Sequence, residues 1–186
     1  DVLGSRGLGD VYKRQHYMLM EVNMRIVVVS DSHKDFYSLQ KAVLSQSSAE
    51  VVVFCGDGNE DMDTLAVTIP DKMIISVRGN CDWCSEKRYS EEITLENKHI
   101  FVTHGHLFGV KSGYSQIINQ AHLLDTDILL FGHTHVPYTA YDDGMYIMNP
   151  GSIGYTGTYG IVDITPSGIM TCLLYTSPSP RDPKTS

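Results

Sequence analysis

Short runs of β-branched and aromatic residues alternate along this chain with stretches whose apolar positions return at helical spacing. "RIVVVS" (residues 25–30) and "VVVFC" (residues 51–55) are apolar without alternation, the pattern of strands buried on both faces. "MIISV" (residues 73–77) predicts a third strand of the same kind. Between the first two, Asp35 is placed to cap a helix with Phe36, Leu39 and Val43 on one face. Met62, Leu65, Ala66 and Ile69 recur at i, i+3, i+4 and i+7, and Pro70 stops that second helix. "EEITLENKHIFVTHG" (residues 91–105) reads as two strands joined by a turn at Asn97. Ser112 is expected to cap a helix carrying Ile117, Ile118, Ala121 and Leu124, and "DILLFG" (residues 127–132) follows as a strand. The remainder, "YTAYDDGMYIMNPGS" and "TYGIVDI", is hairpin-like, with Asp143-Gly144 as a tight turn. The first half is βαβ-like and the second richer in hairpins, which predicts a layered α/β sandwich.

The ends of these strands are unusual. The first finishes in Asp31-Ser32-His33, the second in Gly56-Asp57, and the third in Gly79-Asn80-Cys81-Asp82. "IFVTHGH" supplies His104-Gly105-His106, and "ILLFGHTHV" supplies Gly132-His133-Thr134-His135. Ligands gather at the carboxyl ends of strands in open α/β sheets, and glycine lets the backbone turn sharply there. Residues i and i+2 of an extended segment point the same way, so Asp31 with His33, and His133 with His135, are each expected to act as a pair. Oxygen and imidazole donors together suit divalent manganese, iron or zinc better than calcium or magnesium. Taken singly, each site has a plain alternative. Asp57 could be a turn residue, Asn80 a strand cap and His104 a hydrogen-bonded core histidine. Five in order, each at a strand end, favour a metal centre.

Composition narrows the class of protein. The two ends of the chain do not read as part of the fold. Ser5–Gln15 and Cys172–Asp182 back-translate into DNA strings that are reverse complements of each other, and both resemble a transposase sequencing adapter. Residues 1–15 and 172–186 are therefore expected to be adapter translation, and 16–23 upstream read-through. Glu21-Val22 can be encoded by a ribosome-binding purine run just ahead of Met24. That leaves one domain, residues 24–171, with its natural C-terminus expected to be cut short. The flanks hold five of the 14 basic and four of the 22 acidic residues, which leaves nine against eighteen. So acidic a domain has no general attraction for a nucleic-acid backbone, and its sign suits bound cations. No apolar stretch approaches a membrane span. Within the domain Cys55, Cys81 and Cys84 form no disulfide framework, which points to a reducing cytoplasm. Cys81-x-x-Cys84 lacks the second pair of a zinc knuckle and reads as two free thiols.

In this order D-x-H, G-D, G-N-x-D, H-G-H and G-H-x-H resemble the calcineurin-like metallophosphoesterases. "GNCD", "THGH" and "NPGSI" (residues 149–153) are similar to the small bacterial and archaeal single-domain phosphodiesterases of that superfamily. The resemblance covers residues 24–171. It implies a four-layer α/β sandwich of two mixed β-sheets flanked by helices, with a two-metal site at one edge. It further implies that Asp31, His33 and His135 hold one metal, that Asn80, His104 and His133 hold a second, and that Asp57 bridges them. The expected cofactors are two divalent ions, manganese first, then iron, zinc or nickel. The expected reaction is attack of a metal-bridging hydroxide on the phosphorus of a small phosphodiester.

One position departs from the larger members of the superfamily. They carry a histidine after the motif asparagine as general acid, where this chain has Cys81 followed by Asp82. A thiol near its ordinary pKa suits that task poorly, so leaving groups of low pKa should be favoured. His106 is a candidate substitute acid, or equally a hydrogen bonder to the metal-binding side chains. Trp83, Phe108 and Tyr114 could line a pocket or simply pack, and Lys111 could reach phosphate or lie in solvent. His99 and His122 are given no role. The expected partner is a small phosphodiester, with no nucleic-acid polymer and no membrane, and a homo-oligomer is possible from the resemblance. Two alternatives stand beside the enzyme. One is a non-catalytic scaffold such as the retromer subunit of this architecture; the other is a module binding a single metal.

Overall fold

In the computed structural model, which describes residues 23–176, β1 (Met24–Val29), β2 (Val51–Phe54) and β3 (Met73–Ser76) run parallel in the order β1-β2-β3. β9 (Thr158–Thr165) pairs antiparallel with β1, and β10 (Gly168–Tyr175) pairs antiparallel with β9. The second sheet has the order β4-β5-β6-β8-β7. Its strands are β4 (Ser90–Leu95), β5 (Lys98–Thr103), β6 (Ile128–Leu130), β7 (Tyr138–Asp142) and β8 (Met145–Asn149). β5, β6 and β8 are parallel, while β4 and β7 are antiparallel edges. Both sheets are thus five-stranded and mixed.

Strand alternation sorts the side chains into three cores. Ile26, Val28, Val51 and Val53 of the first sheet meet Ile100, Val102, Ile128 and Leu130 of the second between the sheets. Val27, Val29, Val52 and Phe54 point the other way, against Leu39 and Val43 of α1 (Phe36–Ser45) and Met62 and Leu65 of α2 (Asn59–Ala66). Phe101, Leu129 and Ile147 cover the outer face of the second sheet with Ile117 and Ala121 of α3 (Ser115–Leu123). Strands β1, β2 and β6 are buried on both faces, which is why they lack alternation. Each fully buried valine, isoleucine or leucine contributes about 1.5–3 kcal/mol of transfer free energy. The order helix, sheet, sheet, helix is the expected four-layer sandwich.

Local signals set most of the boundaries. Asp35 caps α1 by accepting a 3.0 Å hydrogen bond from the Ser38 backbone N–H. Glu96 and Asn97 both take positive φ in the β4–β5 turn, as do Asp143 and Gly144 in the β7–β8 turn. Two helix limits differ from expectation. α2 ends at Ala66, three residues short of the periodic Ile69, because Pro70 disfavours helical backbone in the residue before it. Ser112 does not cap α3. Its N–H bonds to the Gly109 carbonyl at 2.8 Å in a turn after a short 3-10 helix (His106–Phe108), and Gly113 at φ +148° breaks the chain before Tyr114.

β10 also runs past the expected domain boundary. Residues 172–175 continue its ladder, Tyr175 opposite Thr158, because β9 offers backbone groups along its whole free edge. Residues 1–22 and 177–186, most of the expected adapter and read-through segments, lie outside the described residues.

The carboxyl ends of β1, β2, β3, β5 and β6 open on one rim of the sandwich. Backbone hydrogen bonds tie the loops there. Asp31 N–H donates to Gly56 O at 2.9 Å, His33 N–H to Asp57 O at 3.2 Å, and Gly132 N–H to His104 O at 3.2 Å.

Candidate metal centre

Left-handed backbone shapes this rim. Asp31 (φ 55°), His33 (φ 46°), Asp57 (φ 60°), His133 (φ 69°) and His135 (φ 60°) all lie in the region that costs an L-residue roughly 1–2 kcal/mol. The extended-segment argument for the two pairs therefore fails, since these loops are bent and not extended. Bending sends His133 and His135 to different places, while Asp31 and His33 still converge. Two glycines permit the packing. A Cβ on Gly79 would collide with the Asp57 carboxylate, and one on Gly132 would collide with Ser30 Oγ and crowd Asp31.

Asp31 is fully buried, and its two oxygens differ. Oδ2 accepts from Ser30 Oγ at 2.5 Å and from the His133 backbone N–H at 3.1 Å. Oδ1 has no hydrogen-bond partner among the described residues. It faces His135 Nε2 at 3.2 Å and His33 Nε2 at 3.7 Å, and those two nitrogens are 3.2 Å apart.

The second cluster is organised around His104, also fully buried. Its Nδ1–H donates to the Cys55 carbonyl at 2.7 Å, which leaves the Nε2 lone pair directed outward. That Nε2 faces Asn80 Oδ1 at 3.2 Å, His133 Nδ1 at 3.2 Å and Asp57 Oδ2 at 3.4 Å. Asp57 Oδ1 accepts the Cys81 N–H at 2.7 Å. Donor atoms of His33, Asp57 and Cys81 also lie within 4.8 Å of one another, so Asp57 sits between the clusters.

These contacts bring together lone pairs more than donors and acceptors. Converging lone pairs repel unless protons or a cation lie among them. Ligand atoms about 2.0–2.2 Å from one ion stand roughly 3.0–3.5 Å apart, as most of these do. These clusters therefore have the spacing to hold small divalent ions. Protons reveal the same tension. Burial would push the Asp57 carboxyl up, but the hydrogen bond and charge of His104, with the Cys81 amide, hold it well below the usual range. Burial would lower His104, yet Asp57 and Asp31 raise it. His133 is pushed down to about 4, first by burial and then by the charges of His104 and Lys111.

Asp82 is fully engaged and is not placed to protonate a leaving group. It accepts the backbone N–H groups of Asp57 (2.8 Å), Gly58 (2.8 Å), Asn59 (2.9 Å) and Gly79 (2.8 Å), and the Asn59 side-chain amide (2.9 Å). This carboxylate, distant in sequence, caps α2 and fixes the Asp57 and Gly79 loops. The Cys81 thiol is raised to about 11 by burial and by Asp57, and it remains protonated near neutrality. The His106 ring lies 5.3 Å from that of His104, and its buried Nδ1 has no hydrogen-bond partner among the described residues. Phe108 and Tyr114 belong to the α3 core, while Trp83 is 84% exposed beside the site. His99 Nε2 lies 3.5 Å from Glu92 Oε2 and His122 Nε2 2.9 Å from Asp142 Oδ2, both away from the clusters.

Sequence analysis assigned no role to two residues at this rim, although Asn149 opens the quoted "NPGSI". Tyr155 stacks on His135 at 5.0 Å and reaches His33 at 5.2 Å. Asn149 donates to the Gly132 carbonyl at 2.8 Å and to Thr134 Oγ1 at 3.0 Å, which holds the loop bearing both histidines. The dipeptide Asn149-Pro150, a turn signal following the strand pattern, marks the second as a loop-holding residue. Nothing local marks Tyr155.

Known proteins resemble this chain. Residues 24–167 match the calcineurin-like phosphoesterase superfamily domain. The probable metallophosphoesterase YsnB of Bacillus subtilis is 30% identical over 131 residues, 70% of this chain and 75% of that protein. Phosphodiesterase YfcE of Escherichia coli is 28% identical over 168 residues, 75% of this chain and 88% of that one. Among solved structures, a predicted phosphoesterase from Streptococcus pneumoniae superposes with TM-score 0.71 at 27% identity, covering 84% of this chain and 94% of its own. Zinc-complexed Vps29 from Entamoeba histolytica shares the fold at TM-score 0.62 and 20% identity, over 83% of this chain and all of its own. With its motifs on the strand ends of a matching sandwich, this chain belongs to the calcineurin-like phosphoesterase superfamily.

Proposed function

We propose that this chain is a two-metal phosphodiesterase of small substrates. One observation carries the reading: the buried, unpartnered Oδ1 of Asp31 faces two imidazole nitrogens, beside a second cluster of the same kind around His104. Asp31, His33 and His135 would hold one ion, Asn80, His104 and His133 the other, with Asp57 between. Manganese is the first choice, and iron, zinc and nickel suit the same donors. When bound, two such ions supply Lewis acidity to the phosphoryl oxygens and make a shared water acidic.

The chain's own residues do the rest. The Cys55 carbonyl fixes the His104 tautomer, and Asp82 keeps Asp57 and Gly79 in register. The Cys81 thiol and Asp82 are poor proton donors for the reasons above, and His106 is the titratable side chain left beside His104 and His133. Its weak position supports a preference for leaving groups that depart without help. The described cysteines are all free, which accords with work in a reducing cytoplasm. No helix among the described residues is long and apolar enough to cross a membrane. A scaffold of this fold would have no need of the complete donor set, so the intact clusters favour catalysis.

The test compares bis(p-nitrophenyl) phosphate with p-nitrophenyl phosphate after manganese loading, with Asp57→Asn as control. Metal-dependent turnover of the diester, abolished in the variant, is expected. A folded protein that holds two ions and turns over neither compound would sink the proposal in favour of the scaffold.

A further inference from the structure

A cleft of 720 Å³ adjoins the metal-ligand clusters, with His33 and Asp57 among its lining residues. His33 joins the cleft to the first cluster, its Nε2 lying 3.7 Å from Asp31 Oδ1. An ester group of a substrate whose phosphate sat on the clusters would extend into this cleft. Its chemistry is therefore a statement about which ester is accepted.

The walls are strongly acidic. α2 contributes Glu60, Asp61 and Asp63, and the loop of residues 81–87 contributes Asp82 and Glu86, against Lys34 and Lys87. Several of these charges are already answered. Lys87 pairs with Asp63, Asp61 accepts from Ser32 Oγ at 2.5 Å and from the Lys34 backbone N–H at 3.0 Å, and Asp82 is saturated by N–H groups. Glu60 and Glu86 are exposed, and neither makes an ion pair or a side-chain hydrogen bond among the described residues. Trp83, 84% exposed, stands on the same wall as Glu86. A large apolar ring left in solvent beside free carboxylates is a partner for an organic cation, since indole is the best cation–π acceptor among side chains. An anionic ester group would meet like charge here, and a cationic one would meet opposite charge.

We propose that this cleft selects phosphodiesters whose ester group carries an ammonium, as in a choline or ethanolamine ester. The inference rests on the phosphodiesterase reading and names its substrate class. The ammonium lies between Trp83, Glu60 and Glu86, while the phosphate stays on the clusters.

Two diesters of the same shape test it on the full, manganese-loaded chain: p-nitrophenyl phosphocholine and p-nitrophenyl 3,3-dimethylbutyl phosphate, which replaces the nitrogen by carbon. At low salt, kcat/KM should favour the choline ester roughly tenfold, from cation–π contact and two weakly screened carboxylates. The double variant Glu60→Gln/Glu86→Gln and the single variant Trp83→Ala should each shrink that ratio. Glu96→Gln, on the distant β4–β5 turn, should preserve it. Equal rates for the two diesters, or a ratio indifferent to the cleft variants, overturn the inference even though the phosphodiesterase reading survives. Calorimetric binding of phosphocholine against 3,3-dimethylbutyl phosphate reads the same preference without turnover. A protein that hydrolyses neither ester but still prefers phosphocholine refutes catalysis and keeps the cleft assignment; equal binding refutes the cleft. Comparing glycerophosphocholine with phosphatidylcholine vesicles then separates a soluble diester from a lipid headgroup.

Discussion

Asp82 and Asn59 are joined twice: one carboxylate oxygen takes the Asn59 backbone N–H at 2.9 Å and the other takes its side-chain amide at 2.9 Å. The same carboxylate holds Asp57 and Gly79, so removing it frees the loops of two strand ends together. Asp82→Ala should lower stability by about 2–4 kcal/mol, a lost helix cap plus stranded N–H donors. Denaturant unfolding reads that loss. Metal affinity should fall with it, since Asp57 is no longer aimed, and an unchanged affinity would show that Asp82 serves the fold alone.

Asp31→Asn keeps the shape of the side chain and removes its charge. The metal-loaded variant should bind one ion fewer per chain, and diester turnover should drop by roughly 10²-fold or more, as when a catalytic metal site loses a ligand. Elemental analysis counts the ions. Two ions retained would remove Asp31 from the ligand set.

Gly79→Ala places a methyl group against the Asp57 carboxylate and backbone. Overpacking of this kind costs about 1–3 kcal/mol. The damage should appear more in metal affinity than in the melting temperature, because the collision falls on the proposed bridging ligand. Calorimetric metal titration beside a thermal melt separates the two effects.

Stability of the metal-free chain should depend on pH through His133. Its folded pKa of about 4 lies below the ordinary histidine value, so between roughly pH 6.5 and 4 the unfolded chain binds a proton that the folded chain refuses. Stability contributed by this residue is therefore present above that window and lost as pH falls through it. Its partial exposure keeps the loss to about 1–2 kcal/mol. His133→Gln should flatten the profile between those limits, and a parallel profile would rule His133 out as its source.

His106→Asn tests the proton donor. Across aryl diesters of rising phenol pKa, variant and parent rates should diverge, to roughly 10²-fold for the poorest leaving group. Parallel lines would instead assign His106 to orienting His104 and His133.

Much of this molecule is legible in its residues. Unbroken apolar runs announced β1, β2 and β6, and the polar groups directly after them located the rim. The geometry at the rim was not legible. Period-two reasoning assumed extended backbone at Asp31–His33 and His133–His135, whereas tertiary hydrogen bonds such as His33 N–H to Asp57 O hold left-handed bends that no local pattern encodes. The loop-holding role of Asp82 was not legible because its amide-bearing partners, except Gly79, lie more than twenty residues away. Tyr155 reaches His135 only because β8 and β9 belong to different sheets and the chain between them crosses the rim.

That crossing has a wider consequence. Each cluster draws side chains from both sheets: Asp31 and His33 meet His135, while Asp57 and Asn80 meet His104 and His133. A bound ion would thus act as a further rivet between two plates that already meet across an oily seam and at rim hydrogen bonds such as His104 Nδ1–H to the Cys55 carbonyl. Sliding one plate over the other by a fraction of an ångström would change the spacing of the two ions. Truncations in the seam far from the rim, such as Val28→Ala or Leu130→Ala, should then register as lost turnover as well as lost stability, and chelation should loosen the whole sandwich at once.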